Sequence, residues 1–182
     1  AAPLAMGITS DGEYFDGEFE SVSTSKAMID ALNAVSVDEM HVTECVLLPD
    51  DAKNSMSVVS ASDYVITFEE KCSTEEKSKL LGSVMDFMVQ KEIVILKKTK
   101  KSEREENIKP GIMKCELRGD SMYMLLSTGS EYNLKPELVM QALYSFSGIE
   151  HNQFHYHIHR LETYMDSPKG RIMPLYQAGT SF

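Results

Sequence analysis

The order of strand-like and helix-like segments constrains the fold of this chain more than any other feature of its sequence. Residues 64–68 alternate between larger and smaller side chains, which is the pattern of a half-buried strand. Ser73 and Glu76 then form an S-x-x-E capping box, a pattern typical of a helix start. Apolar residues follow at helical spacing as far as Met88. This segment therefore predicts a strand followed by an amphipathic helix.

The same reasoning divides the rest of the chain into alternating elements. We predict strands at residues 13–20, 41–48, 64–68, 93–96, 113–117, 121–126 and 154–162. Helices are predicted after a cap within residues 23–25, after Ser73, and from Pro136, since a helix accepts proline in its first turn. The order is β-α-β followed by β-α-β-β-β-α-β. The second part is close to the split βαβ arrangement of ferredoxin-like domains, with one strand to spare.

The sequence therefore predicts an α+β protein made of two ferredoxin-like units side by side, with the first one truncated. The first, partial unit is expected at residues 1–50 and the second unit at residues 61–165. Residues 166–182 are expected to form a loose C-terminal tail. An upstream β-α-β segment would complete the first unit, and we expect one to precede Ala1.

Composition limits the kinds of partner and the cellular compartment that we expect for this chain. The formal net charge of −10 and the pI near 5.0 argue against indiscriminate binding along nucleic acid, but they allow a local basic patch. The three cysteines are far apart and form no CxxC pair, which indicates reduced thiols. The chain has no signal-peptide pattern and no apolar run of about 20 residues. We therefore expect a cytoplasmic protein that does not contact a membrane.

Four segments in a fixed order resemble one family. Residues 3–16 resemble its P-L-P-L-G-x-x-S-x-G-E-Y-F-D pattern, and residues 54–64 resemble its S-L-M linker and following strand. The basic stretch from Lys97 and the N-I-K-P-G-I of residues 107–112 resemble a basic stretch leading into D-I-x-P, with asparagine in place of aspartate. Residues 132–137 resemble its N-L-R-P-E helix start. The family is that of the radical-SAM-linked proteins.

The resemblance implies a role beside another protein. Members of this family are encoded beside, or fused to, a radical SAM protein with a cobalamin-binding region. They also occur near a ribonuclease of the E/G type and ribosomal-protein genes. The resemblance therefore implies a radical SAM partner and work related to RNA or ribosomes. It implies no catalytic residues, because the family has no agreed ones.

The cysteine spacing predicts that this chain is not itself a radical SAM enzyme. Such an enzyme holds its iron–sulfur cluster with closely spaced cysteines whose thiolates converge on neighbouring irons. Cys45, Cys72 and Cys115 cannot supply that spacing locally. We therefore assign any radical chemistry to the partner and expect this chain to hold no cofactor.

One dense basic run offers a contact for RNA phosphates. Lys97, Lys98, Lys100 and Lys101 fall within five residues, and four lysines on a strand end or loop neutralise several phosphates. The alternative is a solvated loop balanced by the glutamates that follow it. Further basic candidates for the same contact are Lys114 and Arg118.

Three alternating histidines, His155, His157 and His159, form the other candidate site. On a strand all three point to one face, where imidazoles two residues apart can share a zinc or iron ion. The alternative is a solvated strand face. The acidic row around Asp11 and Glu13 has the same two interpretations, acid–base chemistry or a solvated face.

Taken together, these patterns predict a non-catalytic accessory domain that acts with a radical SAM partner and has an RNA-related or ribosome-related role. One alternative is a metal-dependent enzyme that uses the histidine-rich strand. Another is an RNA-binding module that is independent of radical SAM chemistry.

Overall fold

The computed structural model describes residues 2–98 and 103–182 of the chain. Its α-helices are α1 (Ser25–Asn33), α2 (Ser55–Val58), α3 (Thr74–Val89) and α4 (Pro136–Phe146). Its β-strands are β1 (Ile8–Ser10), β2 (Val59–Phe68), β3 (Val94–Lys98), β4 (Glu103–Asn107), β5 (Ile112–Arg118), β6 (Ser121–Ser127), β7 (Tyr156–Asp166) and β8 (Ile172–Pro174). Short 3-10 turns lie at Lys109–Gly111, Gln153–His155 and Leu175–Ala178.

Six of these strands form one mixed sheet. Its order is β1-β7-β2-β6-β5, and β8 also pairs with β7, while β3 and β4 form a separate hairpin. β1 runs parallel to β7, and the other pairs are antiparallel. The chain runs from β2 to β5 through α3, and β6 lies between these two strands in the sheet. It runs from β6 to β7 through α4, and β2 lies between those two strands. The predicted α+β class is confirmed.

The hydrophobic core lies between this sheet and the two long helices. α3 contributes Leu80, Val84 and Phe87, which are buried at i, i+4 and i+7. The capping box is present as predicted, because Ser73 Oγ accepts the N–H of Glu76 and the Glu76 carboxylate accepts the N–H of Ser73, each at 3.2 Å. The other core side chains from α4 and the sheet include Val139, Met140, Leu143, Tyr144, Tyr64, Ile66, Met122, Met124, Leu126, Tyr156 and Ile158.

The sheet face opposite α3 and α4 is called the outer face here. Because opposite residues of paired strands point to the same side, the register defines a row across five strands: Thr9, His159, Val65, Tyr123 and Glu116. The outer face comprises Thr9, Val65, Thr67, Lys114, Glu116, Arg118, Tyr123, His157 and His159. Its aromatic, cationic and imidazole groups therefore share one surface.

The N-terminal region differs from the sequence prediction. Residues 13–20 form no strand, and of residues 41–48 only Leu47 makes a β-bridge, to Thr180. Phe15 and Phe19 alternate with acidic residues, but their side chains are 66% and 50% exposed, so the alternation does not reflect a buried face. α1 begins after Thr24, whose hydroxyl accepts the N–H of Ala27, yet none of its residues is buried. The partial first unit at residues 1–50 stays a prediction.

The C-terminal segment is more ordered than the predicted loose tail. β8 pairs with the end of β7, and Leu175 in the following 3-10 turn is buried. Backbone hydrogen bonds also join Leu47 to Thr180 and Ser25 to Phe182. The partners of Thr180 and Phe182 are far away in the sequence, so local composition does not reveal these contacts, whereas β8 pairs with the strand directly before it. Among the described residues, no helix has the length and apolar character needed to cross a membrane.

Candidate functional site

Two histidines of β7 converge on one hydroxyl group of β1. Thr9 Oγ1 lies 2.7 Å from Nε2 of His157 and 2.7 Å from Nδ1 of His159. The other ring nitrogen of His159, Nε2, lies 2.9 Å from Oδ1 of Asp11. Thr9 is exposed, and the side chains of His159 and Asp11 are 30% and 65% exposed. We call these four side chains the Thr9 relay.

The backbone fixes the position of this relay. Parallel pairing of β1 with β7 sets Thr9 opposite His159, and the N–H of Asp11 donates to the carbonyl of Arg160 at 3.0 Å. The strand is preceded by Gly7, whose φ of +87° suits glycine and completes a turn before the pairing begins. The relay therefore depends on a contact between segments about 150 residues apart in the chain.

Hydrogen-bond chemistry assigns the protons of the relay when both rings are neutral. A carboxylate only accepts, so Nε2 of His159 donates to Asp11 and its Nδ1 is the acceptor. The Thr9 hydroxyl then donates to His159 and accepts from Nε2 of His157. The Thr9 hydroxyl hydrogen thus points at an imidazole lone pair that a carboxylate holds in place.

His155 is separate from the other two predicted metal ligands. It lies in the 3-10 turn Gln153–His155, because Asn152 caps that turn by accepting the N–H of Phe154 at 3.0 Å. Its Nδ1 lies 3.7 Å from Oε2 of Glu76 on α3. The structure thus brings two of the three histidines together and places the third against a helix. The alternation that predicted one common face requires strand geometry, which starts only at Tyr156.

The turn places His155 in a second cluster, with Cys72 and Glu76. Their potential ligand atoms all lie within 4.8 Å of one another. Tyr144 is fully buried and its hydroxyl has no hydrogen-bond partner; burial, with Cys72 and Glu76 nearby, raises the pKa of this phenol. Hydrogen bonds from Ser73 lower the pKa of Glu76. This group of ligand types has the composition of a metal site.

Protonation argues against metal binding at this cluster. Asn152 uses its carbonyl oxygen to accept the N–H of Phe154, so its amide nitrogen faces Nε2 of His155, at 2.9 Å. Nε2 must then accept, and a neutral ring carries its proton on Nδ1. That Nδ1 is the atom directed at Glu76. The cluster thus presents an N–H donor where a metal would need a lone pair.

Lys114 and Arg118 lie together on the outer face. The Arg118 guanidinium stacks over the ring of Tyr123 at 3.6 Å, and Lys114 lies 5.6 Å from the same ring centre. Both cations pair with Glu116, at 2.8 Å from Lys114 and 3.1 Å from Arg118. The bond from Lys114, followed by the one from Arg118, lowers the pKa of Glu116. One carboxylate thus partly neutralises two cations beside an aromatic ring.

The dense lysine run is described only at its edge. Lys100 and Lys101 lie outside the described residues, as do the side chains of Lys97 and Lys98. The backbones of Lys97 and Lys98 pair with Arg104 and Glu103 in the β3–β4 hairpin. The predicted phosphate contact of the run therefore remains a prediction.

The cysteines lie on three different parts of the fold. Cys45 precedes the Leu47 bridge, Cys72 precedes α3, and Cys115 lies in β5. All three are free thiols. Burial raises the pKa of the Cys115 thiol to about 12 and also raises that of Cys72. Within the described part of the chain, the only close group of three possible ligands includes a single cysteine.

The sequence matches the family model described as "Uncharacterized protein conserved in bacteria (DUF2344)" over residues 1–136. The chain belongs to this family. No curated protein matches it, and no solved structure matches it.

The family match covers one half of the Thr9 relay. Thr9, Asp11, Lys114 and Arg118 lie within the matched residues, whereas β7 with its histidines lies beyond them. The sequence prediction missed Thr9, and it named Asp11 only as part of an acidic row that is either solvated or suited to acid–base chemistry. Only the strand register reveals the contributions of Thr9 and Asp11.

Proposed function

We propose that this member of the DUF2344 family is an accessory domain that acts with a radical SAM partner and uses its outer face to hold single-stranded RNA. The observation that carries the proposal is the stack of Arg118 on Tyr123, beside Lys114, on the sheet face opposite the helices. Tyr123 itself is buried, so the flat group that a base would meet is the Arg118 guanidinium, with the Lys114 cation beside it. Single-stranded RNA binds to planar groups and cations of this kind.

We also infer that β2, β5, β6 and β7, with α3 and α4, form a ferredoxin-like unit. The spatial order β7-β2-β6-β5, with every neighbour antiparallel, supports this inference, as does the β-α-β-β-α-β order of these elements. The β3–β4 hairpin is then an insertion between α3 and β5. In such a unit the helices cover one face of the sheet and leave the other for ligands.

The outer face has suitable dimensions for a short stretch of RNA. Neighbouring strands lie about 4.8 Å apart, so the part of the row from Val65 to Glu116, away from the Thr9 relay, spans about 10 Å over two intervals. Thr67 in the centre is exposed, as are Lys114 and Arg118 at the far edge. A base stacked over the Arg118 guanidinium would lie next to Lys114, whose ammonium group is within reach of a phosphate. This arrangement favours stacking over the reading of a particular sequence.

The charge distribution makes the expected binding weak and salt-sensitive. The chain as a whole carries −10, and Glu116 offsets part of the local positive charge. Additional cations would come from Lys97, Lys98, Lys100 and Lys101, as the sequence predicts. With few phosphates neutralised, affinity depends on counterion release and falls as salt rises.

The radical SAM partner is supported by sequence resemblance and by the positions of the cysteines. Cys45, Cys72 and Cys115 belong to separate elements, so iron–sulfur chemistry in this system falls to another chain. The test is co-purification of the tagged full chain with a co-expressed radical SAM protein that has a cobalamin-binding region, the partner that the resemblance implies. Co-elution at equal stoichiometry supports the proposal. Separate elution at micromolar concentrations would reject the radical SAM partner.

RNA binding is tested by fluorescence anisotropy with a labelled oligouridine across a salt series. The double variant Lys114→Ala/Arg118→Ala should weaken binding at low salt by at least about tenfold and flatten the salt slope. A second variant should flatten the salt slope further. In this variant alanine replaces Lys97, Lys98, Lys100 and Lys101.

A matched control separates site effects from net charge. Lys26→Ala/Lys169→Ala also removes two exposed cations, from α1 and from the segment between β7 and β8. This control should bind within about twofold of wild type. Equal losses in both double variants, or no binding by wild type at low salt, would reject the RNA half of the proposal.

A further inference from the structure

We propose that the Thr9 relay is a nucleophilic site whose hydroxyl attacks uncharged carboxylic esters, with His159 as the base and Asp11 as the group that orients it. This activity goes beyond the accessory role proposed above and does not depend on it. The arrangement follows the rule for an activated hydroxyl: a nucleophile within hydrogen-bond reach of a base that a third group holds in place.

The distances satisfy this rule at every step. The Thr9 hydroxyl lies 2.7 Å from Nδ1 of His159, and Nε2 of the same ring lies 2.9 Å from the Asp11 carboxylate. Reach for proton transfer is about 2.6–3.2 Å. Since Asp11 can only accept, it holds His159 in the tautomer whose Nδ1 lone pair faces the hydroxyl. The base is therefore in the required form before any substrate arrives.

His157 orients the Thr9 hydroxyl, and later in the reaction it donates a hydrogen bond to the oxyanion. Its Nε2 lies 2.7 Å from Thr9 Oγ1 and donates to that oxygen, which leaves the single hydroxyl hydrogen for His159. When Oγ1 becomes part of an ester, the same N–H lies next to the carbonyl carbon under attack. It is then placed to donate to the oxyanion that forms there.

Regular structure holds the reacting groups still while leaving them accessible. Thr9 and both histidines belong to paired strands, and the Asp11 backbone is bonded to Arg160 directly after β1. Thr9 is exposed, so its oxygen can meet an ester in solution. Two cavities of the described part, one between β3 and α4 and one beside Gly7 and Phe154, include no relay residue. A site on an open surface suits an ester on a large or flexible substrate.

The chemical step balances with water as the only co-reactant. The Thr9 oxygen bonds to the ester carbonyl carbon while its proton moves to Nδ1 of His159. The bond from that carbon to the leaving oxygen then breaks, and the leaving oxygen takes the proton from His159. In the second half, water attacks the acyl carbon and gives a proton to His159, which returns it to Thr9 Oγ1. The sum is an ester plus water giving an acid plus an alcohol.

The negative charges near the relay favour an uncharged ester over an anionic one. Asp11 stands at one end of the relay with its carboxylate 65% exposed, and Glu162 follows along β7. An anionic phosphodiester would approach against these carboxylates, whereas an uncharged carboxylic ester would not. The carboxylic ester is therefore the class that we assign.

The test uses p-nitrophenyl acetate, with bis(p-nitrophenyl) phosphate as the anionic comparison. Wild type should hydrolyse the acetate at least about 100-fold faster than Thr9→Val, which keeps the shape and removes the hydroxyl. Thr9→Ser should retain activity, and His159→Gln and Asp11→Asn should each lose most of it. Thr43→Val, an exposed threonine outside the sheet, is the matched control and should match wild type.

A covalent readout keeps the test independent of rate. A fluorophosphonate probe forms a Thr9 Oγ1–phosphorus bond with loss of fluoride, and peptide mass spectrometry locates the adduct. Labelling at Thr9 that disappears in His159→Gln supports the site. The proposal is overturned if wild type and Thr9→Val hydrolyse the acetate equally and no adduct forms at Thr9. The relay would then only hold β1 against β7. Neither outcome alters the RNA anisotropy test, since that test rests on Lys114 and Arg118.

Discussion

At the scale of single residues, the positions of hydrogens decide what the two histidine-containing clusters can do. Both bring imidazole nitrogens close to acidic side chains. In the Thr9 relay, Asp11 leaves a lone pair of His159 facing a hydroxyl. At Cys72 and Glu76, the amide of Asn152 leaves an N–H of His155 facing the carboxylate. The first arrangement favours proton transfer and the second disfavours a metal ion.

This difference predicts the outcome of zinc titration. Both ring nitrogens of His159 and Nε2 of His157 are hydrogen-bonded to Thr9 or Asp11, and His155 directs a donor at Glu76. We therefore expect untagged protein to hold less than about one zinc per ten chains, and titration to show no site with micromolar affinity. Elemental analysis measures both. One zinc per chain that His155→Gln removes would contradict the proton assignment.

A buried aspartate on β2 predicts an alkaline effect on stability. Oδ2 of Asp63 accepts the hydroxyls of Tyr123 at 3.0 Å and Tyr164 at 3.1 Å. Burial and the Asp63 charge raise the pKa of Tyr123 from its ordinary 10.0 to about 12. Because the folded state holds this proton more tightly, its stabilisation is complete below about pH 10 and is lost as pH rises toward 12.

Tyr123→Phe should therefore lower the free energy of unfolding at neutral pH by about 1 kcal/mol, since Asp63 keeps one donor. It should also reduce the loss of stability as the pH rises from about 10 toward about 12. Urea unfolding at several pH values measures both effects. Tyr176→Phe, which alters a partly exposed tyrosine, is the control and should change neither. An unchanged alkaline slope in Tyr123→Phe would argue against the Asp63 contact.

At the scale of elements, agreement between sequence and structure depends on whether an element has a buried face. α3 was predicted because its cap and its stripe of apolar residues lie close together in sequence. Within it, Phe87 is buried and Met85 is 69% exposed, because burial follows the i, i+4, i+7 line from Leu80. By contrast, Phe15 and Phe19 alternate without a partner strand, and local pattern alone cannot report that.

Elements that rest on distant contacts were not predictable in the same way. β1 has three residues and pairs with a strand almost 150 positions later. The sequence of residues 8–10 does not indicate that pairing. For this reason the Thr9 relay was not predicted. The alternation of the histidines correctly placed His157 and His159 on one face. It failed at His155 because the capped turn at Asn152 delays the strand.

The capping box of α3 gives a prediction at this scale. Ser73→Ala removes the hydroxyl that accepts the N–H of Glu76 and should lower the free energy of unfolding by about 1 kcal/mol. Denaturant unfolding measures the change. Ser78→Ala, on the exposed side of the same helix, is the control and should be neutral or slightly stabilising. Equal effects in the two variants would mean that the cap contributes nothing to the folded state.

At the scale of the whole molecule, one face of the sheet lies in the core and the opposite face is the one that we propose for ligands. α3 and α4 bury one face in the core. The other face carries the Arg118–Tyr123 stack at one edge and the Thr9 relay at the other. Polar, cationic and imidazole groups thus share the face that α3 and α4 do not cover.

Photocrosslinking tests this account most directly. A short single-stranded RNA containing 4-thiouridine is bound to the full chain at low salt, irradiated, and the crosslinked peptides are identified by mass spectrometry. We predict crosslinks in β5 and β6, centred on residues 114–123, and their loss in Lys114→Ala/Arg118→Ala. Crosslinks confined to α3 and α4, or unchanged in that variant, would contradict the assignment of the outer face as the RNA-binding surface.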